Sequence, residues 1–291
     1  MTLLFIICFA FQLQANINDG KNTTVKAQDP YELLDTTPQE GMTAAFFDWK
    51  EVKGTLAISR KERRQNSGRH AMFNLIEGKS DQLEMSFREE VNRQIILGDG
   101  TDAGDKEIEG IALAIKDTPT TGTYGVIDPA SETWWRNQYD NTAYSFAANG
   151  LAYLRLLYRK ASRSDVISPV DLILCDGELY DTFEAEHVLH LQFSPTGKSN
   201  EAMFNLGIEN FRYKKATVME DEQLDADAGS KKIYGVNSEF TKLAVDKESN
   251  FVILPAVTPS NQTATVAPMV LMANLCCNNR RKNFVKTAGS V

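Results

Sequence analysis

Histidine is nearly missing from this chain: His70, His187 and His190 are its only three in 291 residues. Acid–base chemistry near neutral pH draws on imidazole more than on any other side chain, so little material for it exists here. Cysteine is also sparse. Cys8, Cys175, Cys276 and Cys277 are scattered apart from one adjacent pair, a spacing that suits neither a disulfide framework nor a tetrahedral zinc site. Reduced thiols are the simpler expectation. Base is outnumbered by acid, 31 Lys and Arg against 39 Asp and Glu, and the resulting charge of −8 repels phosphate and argues against free DNA as a specific ligand. At the front, "LLFIICFAF" spans Leu3 to Phe11. It is far short of the roughly 20 residues that a membrane helix needs. It has the length of a signal-peptide core but no basic residues before it, and Leu13 stands where a cleavage site after Ala15 needs a small residue. The alternative is a β-prone segment that buries itself against the protein or another copy of it.

Catalytic signatures are lacking as well. Neither GxGxxG nor GxxxxGK[ST] occurs, so no glycine loop cradles a phosphate. Asp99, Asp102 and Asp105 lack the spacing and the closing glutamate of a calcium loop. Glu184, His187 and His190 fall three apart on a predicted helix and fan over about 120° of its surface, without the HExxH pattern of zinc enzymes. Cys175, at a strand end before Asp176 and Gly177, occupies a place where α/β folds put nucleophiles, but a buried strand-end thiol is the commoner reading. No catalytic residue, metal or cofactor is expected.

What is present is an order of parts. Residues 16–45 are polar and punctuated by Gly20, Pro30, Pro38 and Gly41, predicting an extended, weakly self-packed arm. "FFDWKEVKGTLAISRKE" alternates apolar residues around Gly54, predicting two short strands or one bulged strand, and Asn66 or Ser67 offers an N-cap. Met72, Ile76, Leu83, Phe87, Val91 and Ile95 then form one stripe of a helix near 30 residues long, a strut of roughly 45 Å. An acidic glycine loop follows. "GTYGVIDPASETWWRNQYDN" places Trp134, Trp135, Arg136 and Asn137 after a Gly/Pro turn. A helix is predicted from 143 to 163, a buried strand from Val170 to Cys175, and a helix capped by Asp176. Strands are expected at 206–219, 233–236, 241–245 and 251–256, and a last one bounded by Pro268 and the pair Arg280 and Arg281. The two tryptophans are expected to point to different sides of their element, each burying on the order of 200 Å², with Arg136 and Asn137 fixing loop backbone or a neighbouring subunit.

The phrases "LDTTPQEGMTAAFFDWK", "ISRKERRQNSGRHAMFNLI", "ILGDGT" before "IEGI", "GTYGVIDPASETWWRNQ", "DLILCDGELYDTFEA", "FRYKKATVMED" and "LCCNNRRKNF", in this order, resemble tailed-bacteriophage major capsid proteins of the Hong-Kong-97-type fold over residues 28–285. The resemblance implies an α+β fold with an N-terminal arm and extended loop (1–45), a peripheral domain with a spine helix (46–104), an axial domain (105–250), and a peripheral return strand with the C-terminus (251–291). It implies a non-enzymatic head protein whose pentamers and hexamers close an icosahedral shell around double-stranded DNA, without sequence-specific binding and without a membrane. Portal, scaffolding and decoration proteins are the implied partners, and a virion assembled in the host cytoplasm the implied location. Candidate interface or packing residues are Trp134, Trp135, Arg136, Asn137, Trp49, Arg63, Arg64, Tyr31 and Leu33. Relatives normally carry a longer arm and the outgoing half of the extended loop, for which this front provides only "MTLLFIICFAFQLQA". An encapsulin-like compartment is the alternative, and a secreted α/β hydrolase built on Cys175 and His187 a more distant one.

Overall fold

The computed structural model describes residues 12–18, 22–27, 29–39, 41–66, 71–100, 106–142, 146–162, 168–190, 211–225 and 231–288. Strand β1 (Leu13–Asn18) pairs antiparallel with β2 (Met42–Phe47), Leu13 opposite Phe47 and Asn18 opposite Met42. Leu13 and Ile17 are buried while Gln14 and Asn16 are exposed, so a period-two strand lies in what reads as a polar arm. The apolar run 3–11 lies outside the described residues.

After a turn at Asp48 and Trp49, β3 (Lys50–Ser59) runs unbroken through Gly54. That glycine serves packing: a Cβ there would meet Leu83 Cδ1 at 2.8 Å and Phe87 Cδ2 at 3.1 Å. Ser59 starts a short helix, α1 (Arg60–Gln65), through a capping box in which its hydroxyl accepts from the Glu62 amide and the Glu62 carboxylate accepts from the Ser59 amide. Asn66, read as an N-cap, closes α1 instead. The long helix α2 (Ala71–Leu97) has 27 residues, about 40 Å at 1.5 Å per residue. Its stripe is buried at Phe87 and Val91 and half-buried at Leu83 and Ile95, with Ile96 buried beside it, whereas Ile76 is exposed.

Strand β11 (Ala264–Cys277) anchors the first sheet. One edge pairs with β3 from Ala264–Ser59 to Ala273–Lys50; the other is shared by β10 (Val252–Ile253) and β9 (Thr241–Val245). Pro268 lies inside this strand, not at its boundary, and its carbonyl accepts from Leu254 N. Six strands make the second sheet, in the order β4 (Gln138–Asp140), β12 (Phe284–Ala288), β8 (Lys231–Val236), β5 (Leu172–Cys175), β7 (Ala216–Glu220) and β6 (Phe211–Tyr213). Alternation sorts its residues between two cores. Ile173, Cys175, Ile233 and Phe284 pack with Leu154, Leu157, Leu179 and Phe183 of α4 (Phe146–Ala161) and α5 (Gly177–His190). Leu174, Tyr234 and Val285 instead join the main core with Phe87, Trp135 and Leu271. The run "LILC" is therefore apolar on both faces. Short helices α3 (Ile111–Ala114) and α6 (Glu222–Asp225) complete the α-helices among the described residues.

The sheets do not follow the division expected at residue 250. β9, expected with the axial part, pairs with β11, and β12, expected with the peripheral part, lies inside the second sheet. The chain crosses between the sheets just before each of these strands, which no composition change marks.

Gly235 lies opposite Phe284 on β12, and a Cβ added there would overlap the Phe284 ring. Gly235→Val is expected to destabilise the protein by about 1–3 kcal/mol or more through overpacking, read as a lower denaturant midpoint, whereas Gly78→Ala, where a Cβ meets nothing within 4 Å, is expected to be neutral or stabilising.

Candidate assembly surfaces and their aromatic hub

The Gly/Pro turn ends in a single 3₁₀ turn, Thr133–Trp135. Trp135 is 1% exposed, donates from Nε1 to Tyr124 O at 3.0 Å and stacks on the Tyr124 ring at 6.2 Å. Tyr124 donates to Leu275 O of β11 at 3.2 Å and meets Phe47 of β2 edge to face at 5.1 Å. Arg280, also buried, lays its guanidinium over the Tyr124 ring at 5.1 Å and donates from Nε to Ala114 O at 2.7 Å. One aromatic group thus ties the hairpin, β11, α3 and the 280–282 turn together. At Gly125 (φ +62) a Cβ would lie 2.8 Å from Ala45 Cβ, and Gly125 O accepts from Phe46 N at 3.1 Å, so the turn is pressed against β2.

Trp134, unlike Trp135, is not fully buried. It meets Trp135 edge to face at 5.5 Å, partly exposed, with Nε1 donating to Glu132 at 2.6 Å. A 3₁₀ turn separates adjacent side chains by about 120°, and indoles are broad enough to touch across that angle. Arg136 donates to Pro129 O at 2.7 Å and Ala130 O at 3.0 Å, and buried Asn137 to Lys116 O at 2.8 Å, so both brace loop backbone of their own chain. Trp49 is half-buried against the main core.

The remaining candidates stand apart from the hub. Tyr31 is 100% and Leu33 92% exposed at the hairpin tip, with Leu34 beside them. Arg63 and Arg64 are exposed on α1, Arg63 donating to Thr265 Oγ1 at 2.9 Å. Sequence reasoning missed Tyr124, Phe47 and Arg280, which only the tertiary fold brings together. It also missed the exposed apolar edge Phe251–Val257, where Pro255 inside an apolar strand run was a legible edge signal.

The nucleophile alternative fails on chemistry. Burial, then the charges of Asp176, Glu220 and Asp225, push the Cys175 thiol up to about 12, so it stays protonated despite its place before a helix. Asp176 is itself raised to about 6 by burial and by the hydrogen bond and charge of Asp225, while Asp225 is lowered and accepts from Gly177 N at 2.9 Å. The side chains of His187 and His190, and Asp102, Asp105 and His70, lie outside the described residues; no cluster of three metal-ligating side chains occurs among the described ones.

Comparison with solved structures gives full-length matches. The chain is similar to the capsid subunit of cyanophage A-1(L), at 15% identity over 97% of this chain and 89% of that one, with a TM-score of 0.69. The capsid protein of Myoviridae phage XM1 matches at 11% identity over 98% and 89%, TM-score 0.61. The SrpI encapsulin of Synechococcus elongatus PCC 7942 matches at 9% identity over 98% and 85%, TM-score 0.55. No protein-family model and no curated protein matches by sequence. The chain has the α+β fold of tailed-phage capsid proteins.

Trp135→Ala is expected to cost about 3–5 kcal/mol by emptying the hub, and Trp134→Ala distinctly less, in equilibrium denaturation. A carboxyl raised in the folded state stabilises it below its ordinary value, 3.8, and loses that contribution as pH rises through about 6. The melting temperature is therefore expected to fall between about pH 4 and 6 on account of Asp176, and Asp176→Asn to flatten that segment of the profile.

Proposed function

We propose that this chain is the major capsid protein of a tailed bacteriophage, forming the pentamers and hexamers of an icosahedral shell around double-stranded DNA. The observation that carries this reading is the match to the cyanophage capsid subunit along almost the whole chain. Its energetic sense lies in the hairpin. Tyr31, Leu33 and Leu34 are left in water by their own chain, and burying such side chains against a neighbour contributes roughly 1.5–3 kcal/mol each. Many such contacts acting together hold a shell that each alone could not.

In this reading 1–45 form the arm and extended loop, 46–104 and 251–291 the peripheral part, and 105–250 the axial part, with β9 and β12 exchanged across the last boundary. Trp134, Trp135, Arg136, Asn137 and Trp49 pack the joint between arm and body, whereas Tyr31, Leu33, Arg63 and Arg64 face neighbouring copies. The protein works without turnover and without a cofactor. Portal, scaffolding and decoration proteins are its partners in a virion assembled in the host cytoplasm, and the acidic balance suits a wall that contains DNA without adhering to it. The encapsulin match supports a second reading, a shell around protein cargo.

Expression of the chain alone and with its neighbouring genes, followed by electron microscopy, is expected to yield closed spherical shells. Nuclease-protected double-stranded DNA in them supports the phage reading and packaged protein the encapsulin one. A monomer under every assembly condition, or open tubes, overturns both.

A further inference from the structure

We propose that the exposed bases of the β6–β7 turn and of the C-terminal half of α4 form a site for the phosphate backbone of duplex DNA. The inference rests on the shell reading for its ligand and names the surface that meets it.

Six bases gather there. Arg155, Arg159 and Lys160 lie toward the end of α4, and Arg212, Lys214 and Lys215 lie at the β6–β7 turn; all are exposed, and none is in an ion pair among the described residues. In a chain of net charge −8 this is a local reversal of sign. Bases at a helix C-terminus complement its free carbonyls, which accounts for Arg159 and Lys160 but not for the other four.

Aromatic contacts fix the two elements to each other. Tyr213 meets Tyr158 of α4 edge to face at 5.9 Å and Phe183 of α5 at 6.1 Å, and Tyr158 donates to Val170 O at 3.3 Å. Lys214 lies over both tyrosines, its Nζ 4.6 Å from the centre of the Tyr158 ring and 5.5 Å from that of Tyr213. The Arg155 guanidinium is hydrogen-bonded to the Tyr213 hydroxyl, and Arg159 follows four residues on along the same face of the helix. Partial burial, then the charges of Arg155 and Arg159, lower the affinity of Lys214 for its proton, and no carboxylate among the described residues offsets them. Three cations are therefore held closer than their repulsion favours, and an anion among them would relieve it.

The turn carries an independent sign. Tyr213 pairs with Ala216, so Lys214 and Lys215 are its two loop residues, and Lys214 has φ +56. Glycine, asparagine or aspartate is the ordinary occupant of such a position, and a lysine there accepts backbone strain in placing a cation at the tip.

A phosphodiester backbone fits this surface better than a protein does. Protein partners anchor on exposed aromatic groups, whereas Tyr158 is 6% exposed and Tyr213 half-buried, which leaves charge as the feature facing outward. A duplex can be held by charge without base contacts. The tyrosine faces are covered by Lys214, so they offer no platform for the unstacked bases of a single strand.

The test uses the purified, unassembled full chain. The anisotropy of a short fluorescent duplex of mixed sequence is followed against salt. Binding is expected, with a slope of log affinity on log salt that falls by about 0.9 for each cation removed in Arg155→Gln, Arg159→Gln and Lys214→Gly. Lys53→Gln with Lys247→Gln, at exposed bases elsewhere, is expected to leave the slope unchanged. Lys214→Gly alone is expected to weaken duplex binding several-fold while its denaturation midpoint holds or rises, because glycine suits φ +56, so that lost binding is not lost folding. No binding, a slope unmoved by the three substitutions, or an equal fall in the Lys53 and Lys247 variant overturns the proposal. So does tighter binding of polyglutamate than of the duplex at equal charge, which would turn the patch toward an acidic protein. Salt-dependent duplex binding through these residues by a chain that never closes shells supports the patch while sinking the capsid reading. Closed shells from a chain whose duplex binding ignores the three substitutions sink the patch alone.

Discussion

The backbone ladder of β11 is the constraint on which the molecule depends. Its fourteen residues bond to β3 on one side and to β10 and β9 on the other, so displacing it would unpair three strands together. Every other attachment is measured from it. Asn274, fully buried, donates to Asp48 O at the hairpin base and accepts from Glu109 N after α2 and from its own neighbour Leu275 N. Tyr124 reaches Leu275 O. The hairpin, the segment after the long helix and the tryptophan turn are therefore positioned by hydrogen bonds to two adjacent residues, Asn274 and Leu275, and buried amides of this kind specify an arrangement because leaving them unpaired is costly.

From β11 the chain passes into the second sheet through a segment that buries Arg280, Lys282 and Lys286 in a protein of net charge −8. Carbonyls do much of the compensation. Arg280 donates to Ala114 O, and Lys286 Nζ to Asp140 O at 3.3 Å and Thr142 O at 2.7 Å, with the Asp140 carboxylate 3.5 Å away. Desolvation lowers the affinity of both cations for protons, so these contacts offset burial more than they add stability. Asn283 fixes the register between them, accepting from Asn237 N at 2.7 Å and donating to Thr241 Oγ1 at 3.1 Å.

Much of this was legible in the sequence where periodicity was strong. The stripe through Phe87 and Val91, the buried run ending at Cys175 and the strand at 241–245 follow from local pattern. The serial order of phrases pointed to the α+β fold. Less visible were features whose cause lies far along the chain. β1 is six residues with polar outward positions, and its strand character comes from pairing with a segment about 30 residues later. β12, "FVKTA", carries a lysine buried only because a distant aspartate and two carbonyls receive it. The Ser59 to Glu62 capping box was readable and explains the short helix that stands ahead of the one expected from Asn66 or Ser67. In the site, the braces made by Arg136 and Asn137 were foreseeable from side-chain chemistry, whereas the contact of the two indoles was not, because it depends on the 3₁₀ geometry of their turn.

The place of β12 has a consequence for biosynthesis. Among the described strands it is the last to be translated, yet it lies in the sheet interior, parallel to β4 on one side and antiparallel to β8 on the other. Until the ribosome releases it, β4 has no partner in that sheet and the helical core lacks the Phe284 ring. A nascent or truncated polypeptide thus has an open seam where the finished one is closed, and the second sheet is complete only after that strand has threaded home.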